Sequence, residues 1–105
     1  MSDAPFISVA KVEDVPVGTK LVSDLNGRSI LICHAQTGLF VIENKCSHAY
    51  ECLDRGRMKA GWISCPVHGA RFDLATGRAL GLPATAPIET FEVRINEGQI
   101  EVRPR

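Results

Sequence analysis

Polar and apolar residues alternate most plainly near the C-terminus. Phe91, Val93 and Ile95 are separated by Glu92 and Arg94, and Ile100 and Val102 by Glu101. Successive side chains of a strand point to opposite faces, so this pattern predicts two half-buried strands. Glu97-Gly98 between them makes the pair a hairpin with one buried face. Two other runs, Ile30-Leu31-Ile32-Cys33 and Leu39-Phe40-Val41-Ile42, are apolar at every position. Strands of that kind are expected to be central and packed between layers. Asn26-Gly27 lies between residues 21–25 and 28–33, and both residues tolerate positive φ, which predicts a two-residue hairpin turn. Thr37-Gly38 separates residues 29–34 from 39–43. Such signals recur about every 8–12 residues, the spacing of an all-β domain. The single helical hint, residues 12–15, is stopped by Pro16 and predicts one turn at most.

The stretch from Asn44 to about Ala86 breaks this rhythm. It consists of short polar pieces rich in Gly and Pro. The expectation is a single domain. Its antiparallel sandwich or barrel base spans residues 4–43 and 87–103, and a small inserted subdomain spans 44–86. Loops held by a rigid scaffold are where function usually sits.

Composition narrows the possibilities. The chain has 105 residues, enough for one core. Twelve Lys and Arg balance twelve Asp and Glu, and no basic run suggests a nucleic-acid surface. No stretch approaches the length of a membrane span, and the N-terminus lacks the features of a secretory signal. The expected setting is the cytoplasm, where thiols stay reduced, so metal ligation is a better prior than disulfides for some of Cys33, Cys46, Cys52 and Cys65.

Cys46-Ser47-His48 and Cys65-Pro66-Val67-His68 supply candidate chemistry, with sixteen residues between His48 and Cys65. Each motif offers a thiolate and an imidazole from one tight loop. Four such ligands can bind tetrahedral zinc, but common zinc patterns pair Cys with Cys and His with His. A motif mixing Cys with His in each loop fits a two-iron cluster better, with Cys46 and Cys65 on one iron and His48 and His68 on the other. Zinc-stabilised structural modules remain the alternative from these residues.

The paired motifs, followed by Gly69, Arg71-Phe72-Asp73, Thr76-Gly77 and Leu82-Pro83, resemble the Rieske family, over roughly residues 28–103. The resemblance implies one [2Fe–2S] cluster with two histidines on one iron, and it places Pro83 in a third loop covering the cluster. Neutral imidazoles in place of two thiolates make an added electron easier to accept. The His-ligated iron is then the expected seat of that electron, and His48 and His68 its exit.

Two departures from the family's high-potential members are evident. Their loop disulfide would require cysteines at Val67 and Glu51, so none is expected here. Their Ser and Tyr hydroxyl donors are replaced by Ala70 and Phe72. With fewer donors to a reduced cluster the potential falls, toward the low end of the family range, about −150 mV. The resemblance is therefore to the soluble ferredoxins of bacterial aromatic-ring dioxygenase systems. It implies a one-electron carrier, itself no enzyme, between an NADH-dependent flavoprotein reductase and a terminal oxygenase. The carrier would be a monomer without nucleic-acid or membrane partners. A small Rieske subunit of a reductase such as nitrite reductase is the alternative within the family. Only His34 remains beyond the motifs, too little for the 2-His-1-carboxylate iron of an oxygenase.

The other residues carry plainer expectations. His34 reads as a packed or edge histidine, Cys33 as a small core residue, and Cys52 as buried. Trp62 and Phe72 read as core. Tyr50, Leu53, Pro66, Val67, Leu82 and Pro83 are candidates for an apolar rim. Arg55, Arg57, Lys59 and Arg71 read as a solvated face, and Asp73 is a candidate brace for the cluster loops.

Overall fold

The computed structural model describes residues 4–47, 51–67, 69–82 and 84–105. Nine strands are present among them: β1 Ile7–Lys11, β2 Lys20–Leu25, β3 Arg28–Ala35, β4 Gly38–Glu43, β5 Met58–Lys59, β6 Trp62–Ser64, β7 Arg71–Asp73, β8 Thr90–Asn96 and β9 Gln99–Pro104. The only helical elements described are 3₁₀ turns at Val12–Asp14 and Leu53–Arg55. The single turn expected before Pro16 is thus present, and the all-β expectation holds.

Six strands form one antiparallel sheet in the order β1-β9-β8-β4-β3-β2. It curls until its edges nearly meet. β1 carries an irregularity between Ser8 and Ala10 in its pairing with β9, and the carbonyl of the intervening Val9 accepts a bond from Ser23 Oγ of β2 at 2.8 Å. A bulge at a barrel rim redirects backbone groups in this way. Between β4 and β8 the chain leaves the barrel and builds a three-stranded antiparallel sheet, β5-β6-β7.

The doubly apolar runs explain how the two sheets meet. Ile30 and Ile32 of β3 and Val41 of β4 join Val15, Leu25, Phe91, Ile100 and Val102 in the barrel interior. The alternating residues Leu31, Cys33 and Ala35, with Ile42, face outward into a second core. There they meet Leu53, Ile63, Phe72, Leu74, Ala84 and Ile88. β3 and β4 are therefore buried on both faces, as their sequence predicts.

The Asn26-Gly27 turn forms with φ of 51° and 90°, and Glu97-Gly98 with φ of 51° and 77°. Two details differ from expectation. Ala35 pairs with Gly38, so the β3–β4 turn is Gln36-Thr37 and Gly38 already begins the strand. The buried face of the β8–β9 hairpin lies on β9 close to the turn, where Ile100 is fully buried, whereas its partner on β8, Ile95, is 57% exposed.

Candidate metal centre

Two loops carry the Cys–His motifs, and the same backbone device closes both. The Cys46 N–H donates to the Glu51 carbonyl at 2.7 Å, and the Cys65 N–H to the Ala70 carbonyl at 2.6 Å. In each loop the bond runs from the cysteine to the fifth residue after it, folding the motif back on itself. Cys46 and Cys65 are both buried in one core, neither is in a disulfide, and the Cys46 thiol lies close enough to that of Cys65 to influence its protonation. Residues nineteen apart in sequence are thus brought side by side.

Each loop is also anchored. Cys65 follows directly on β6, and Ser64 at the end of that strand donates its N–H to the Arg57 carbonyl at 2.8 Å. Gly56, adjacent to Arg57, packs so tightly that a Cβ there would lie 1.7 Å from the Ser64 carbonyl oxygen. Lys20 Nζ of β2 donates to the Gly56 carbonyl, tying this corner to the barrel. On the first loop, Ser47 Oγ donates to the Ala86 carbonyl at 2.6 Å. That bond fastens the first motif to the segment that follows Pro83.

The electrostatics of the pair suit a metal. Burial pushes the Cys65 thiol up from its ordinary value. The Val67 N–H, donating to the sulfur, opposes this, while Cys46 and the charge of Glu51 push it higher. Two adjacent buried thiolates repel each other unless a cation lies between them. An iron–sulfur core supplies that cation and holds the sulfurs deprotonated. Soft thiolates and imidazoles are also the donors such a core takes. The residues present therefore fit a two-iron cluster.

His48, Tyr50, His68 and Pro83 lie outside the described residues. Among the described residues, no group of three or more metal-binding side chains converges. Ala70 and Phe72 are fully buried, and neither side chain bears a donor.

Several expectations are corrected. Cys52 is exposed, because it stands just before the Leu53–Arg55 turn with its side chain outside the core. Leu53 belongs to no rim and is fully buried beneath that turn. Trp62 is only half-buried and stacks under the Arg71 guanidinium at 5.4 Å. Among the described residues Asp73 braces its own turn, accepting from the Thr76 N–H at 2.9 Å and the Thr76 hydroxyl at 2.7 Å. His34 is half-buried as expected, with Nδ1 2.7 Å from the Val15 carbonyl, and Cys33 is fully buried. Of the other rim candidates, Pro66 and Leu82 are exposed and Val67 is half-buried.

Sequence reasoning also missed two things. The Ala60-Gly61 turn, with Ala60 at φ 32°, joins β5 to β6; the Ala-Gly pair was its only local signal. Asn44 carried no functional expectation, yet its amide makes four hydrogen bonds, to Ser29, Leu53 and Asp54.

Comparison with known proteins agrees with this geometry. Residues 6–92 match the Rieske [2Fe-2S] domain. The chain is 30% identical over 98 residues to the ferredoxin component of the naphthalene 1,2-dioxygenase/salicylate 5-hydroxylase systems of Ralstonia sp., covering 93% of this chain and 94% of that protein. Among solved structures it resembles the ferredoxin of carbazole 1,9a-dioxygenase from Nocardioides aromaticivorans IC177. That match has a TM-score of 0.90 and 30% identity, over 97% of this chain and 100% of the other. It also resembles a chain in a complex of reduced oxygenase and oxidized ferredoxin in carbazole 1,9a-dioxygenase, with a TM-score of 0.85 and 28% identity over 92% and 91% of the two chains. With its paired cysteine loops and a match over most of its length, this chain belongs to the Rieske [2Fe–2S] domain family.

Proposed function

We propose that Cys46, His48, Cys65 and His68 ligate the [2Fe–2S] cluster and that the protein is a one-electron carrier. It would take electrons from an NADH-dependent flavoprotein reductase and pass them to the terminal oxygenase of an aromatic-ring dioxygenase system. The observation that carries this reading is the buried, adjacent and unpaired thiol pair Cys46–Cys65 in two similarly closed loops. Each loop has a histidine close behind its cysteine in sequence. The bound cluster supplies reversible one-electron chemistry. The chain's own residues would do the rest: Cys46 and Cys65 would hold one iron, Leu31, Leu53 and Phe72, in the same buried core as the two cysteines, would exclude water there, and Pro66 and Leu82 offer apolar surface nearby in sequence.

The relatives being ferredoxin components favours a carrier over a small reductase subunit. The carrier itself is read as a cytoplasmic monomer and not an enzyme. No helix among the described residues is long and apolar enough to cross a membrane. The decisive experiment is EPR of the dithionite-reduced protein, purified anaerobically. A rhombic signal from a reduced two-iron cluster with mixed Cys/His ligation supports the reading. A colourless protein with stoichiometric zinc overturns it.

A further inference from the structure

Asn44 ends up almost wholly buried, at 6% exposure, two residues before Cys46. Its Oδ1 accepts from the Leu53 N–H at 2.9 Å and the Asp54 N–H at 3.0 Å. Its Nδ2 donates to Ser29 Oγ and to Asp54 Oδ1, each at 3.2 Å. Two acceptor sites and two donors exhaust what a carboxamide can do, and two N–H donors facing one atom fix which end is oxygen. The backbone joins in, since the Asn44 N–H donates to the Ser29 carbonyl at 3.0 Å.

Leu53 and Asp54 open the 3₁₀ turn that ends the first motif loop. The residue before them, Cys52, gives that turn no side-chain cap. Orphan N–H groups at such a start need an acceptor, and here it comes from nine residues upstream. Asn44 therefore closes the loop from outside, while the Cys46–Glu51 bond closes it from within. In sequence, the segment with Cys46 and His48 falls within these closures.

We propose that Asn44 is a positioning residue for the cluster, clamping the first ligand loop to β3 so that Cys46 is presented in one fixed orientation. This rests on the reading that Cys46 and His48 are ligands. Without the clamp, two N–H groups beside the buried Leu53 lose their acceptor and the loop must rearrange to solvate them. Outer partners of this kind tune both metal retention and redox properties.

The test uses the full-length holoprotein and four variants: Asn44→Ala, Asn44→Asp, Asp54→Asn and the double variant that combines the last two. Iron loss to a chelator and the midpoint potential are measured for each, with thermal stability alongside. Asn44→Ala is expected to lose iron roughly 10- to 100-fold faster and to shift the potential. Asn44→Asp does the same, because its carboxylate faces that of Asp54. Asp54→Asn stays near wild type. The double variant restores both readouts, since the carboxylate introduced at position 44 then accepts from the amide introduced at position 54. Phe6→Ala serves as the remote control. It removes the ring sandwiched between the Arg94 and Arg103 guanidiniums, at 4.1 and 4.3 Å, and lowers stability without moving the potential.

Wild-type iron retention and potential in Asn44→Ala would overturn the proposal. So would iron loss that merely tracks thermal stability at unchanged potential, or a double variant no better than Asn44→Asp. If the wild-type protein itself shows no [2Fe–2S] signal, the ligation reading fails first and takes this proposal with it. The two failures are therefore distinguishable.

Discussion

Arg28 grips Glu89 with both terminal guanidinium nitrogens, at 3.0 and 2.9 Å. The pair stands at the neck where the chain leaves the barrel after β4 and returns into β8. There the Glu43 N–H donates to the Glu89 carbonyl at 2.9 Å, and the Glu89 N–H donates to Glu43 Oε1 at 2.9 Å. Arg28 also lies over the Phe91 ring at 5.1 Å. A fork-shaped cation thus holds together the two ends of a long excursion, a task for which its bidentate geometry is suited.

The same pair predicts a pH dependence. The Arg28 bond holds the Glu89 carboxyl below its ordinary value of 4.5, with burial pulling the other way. A carboxylate depressed in the folded state stabilises fully above its unfolded value, and that contribution fades as pH falls through the folded one. Glu89→Gln should therefore lower thermal stability at neutral pH and make progressively less difference below 4.5. Both side chains are nearly half exposed, so solvent screening limits the effect to about 1 kcal/mol or less. Thermal melts of the two proteins across pH check this, and a constant difference down to strong acid would contradict it.

Thiol chemistry should separate two cysteines that the sequence does not distinguish. Burial pushes the Cys33 thiol up to about 12, whereas Cys52 is exposed. Iodoacetamide applied to the folded holoprotein should modify Cys52 first and reach Cys33 only after unfolding. Peptide mass spectrometry reads the order directly. Cys52→Ser should leave cluster content unchanged.

Three glycines should differ sharply in their response to alanine. At Gly56 an added Cβ would meet the Ser64 carbonyl oxygen at 1.7 Å, and at Gly77, with φ +78°, the Ile88 carbonyl oxygen at 2.1 Å. Backbone cannot yield as a side-chain tip does, so each substitution should cost on the order of 3 kcal/mol or more. Gly27, at φ +90°, has nothing within 4 Å. Gly27→Ala should cost only the left-handed conformation, about 1 kcal/mol. Denaturant midpoints of the three variants provide the comparison.

Leu82 is 84% exposed and Leu80 41% exposed, an apolar outcrop flanking Pro83. Transient redox interfaces are small, and a few apolar anchors dominate such contacts. Leu82→Asp should weaken the functional encounter with an oxygenase roughly tenfold, about 1.4 kcal/mol, while leaving the potential unchanged. Electron-transfer rates against protein concentration, with a parallel redox titration, measure the two effects separately.

Much of the architecture is written locally. The Asn26-Gly27 and Glu97-Gly98 turns form because their residues tolerate positive φ. β3 and β4 are central because they are apolar on both faces. The Cys–His motifs identified the family because mixed ligands at that spacing are rare outside it. What local signals failed to give was the environment of single side chains. Cys52 and Leu53 are neighbours in sequence, yet one is exposed and the other fully buried, a difference set by how one 3₁₀ turn sits on the barrel.

The all-β class, the hairpins, the two candidate ligand loops and the lack of side-chain donors at Ala70 and Phe72 follow from the residues alone, because each depends on residue type or short-range spacing. It takes the folded arrangement to bring Cys46 and Cys65 together, to set Asn44 as the cap of a turn nine residues away and to let Arg28 and Lys20 fasten the excursion to the barrel. Those contacts join residues far apart along the chain. Their partners are selected by the packing of one sheet against the other, and no local pattern encodes that packing.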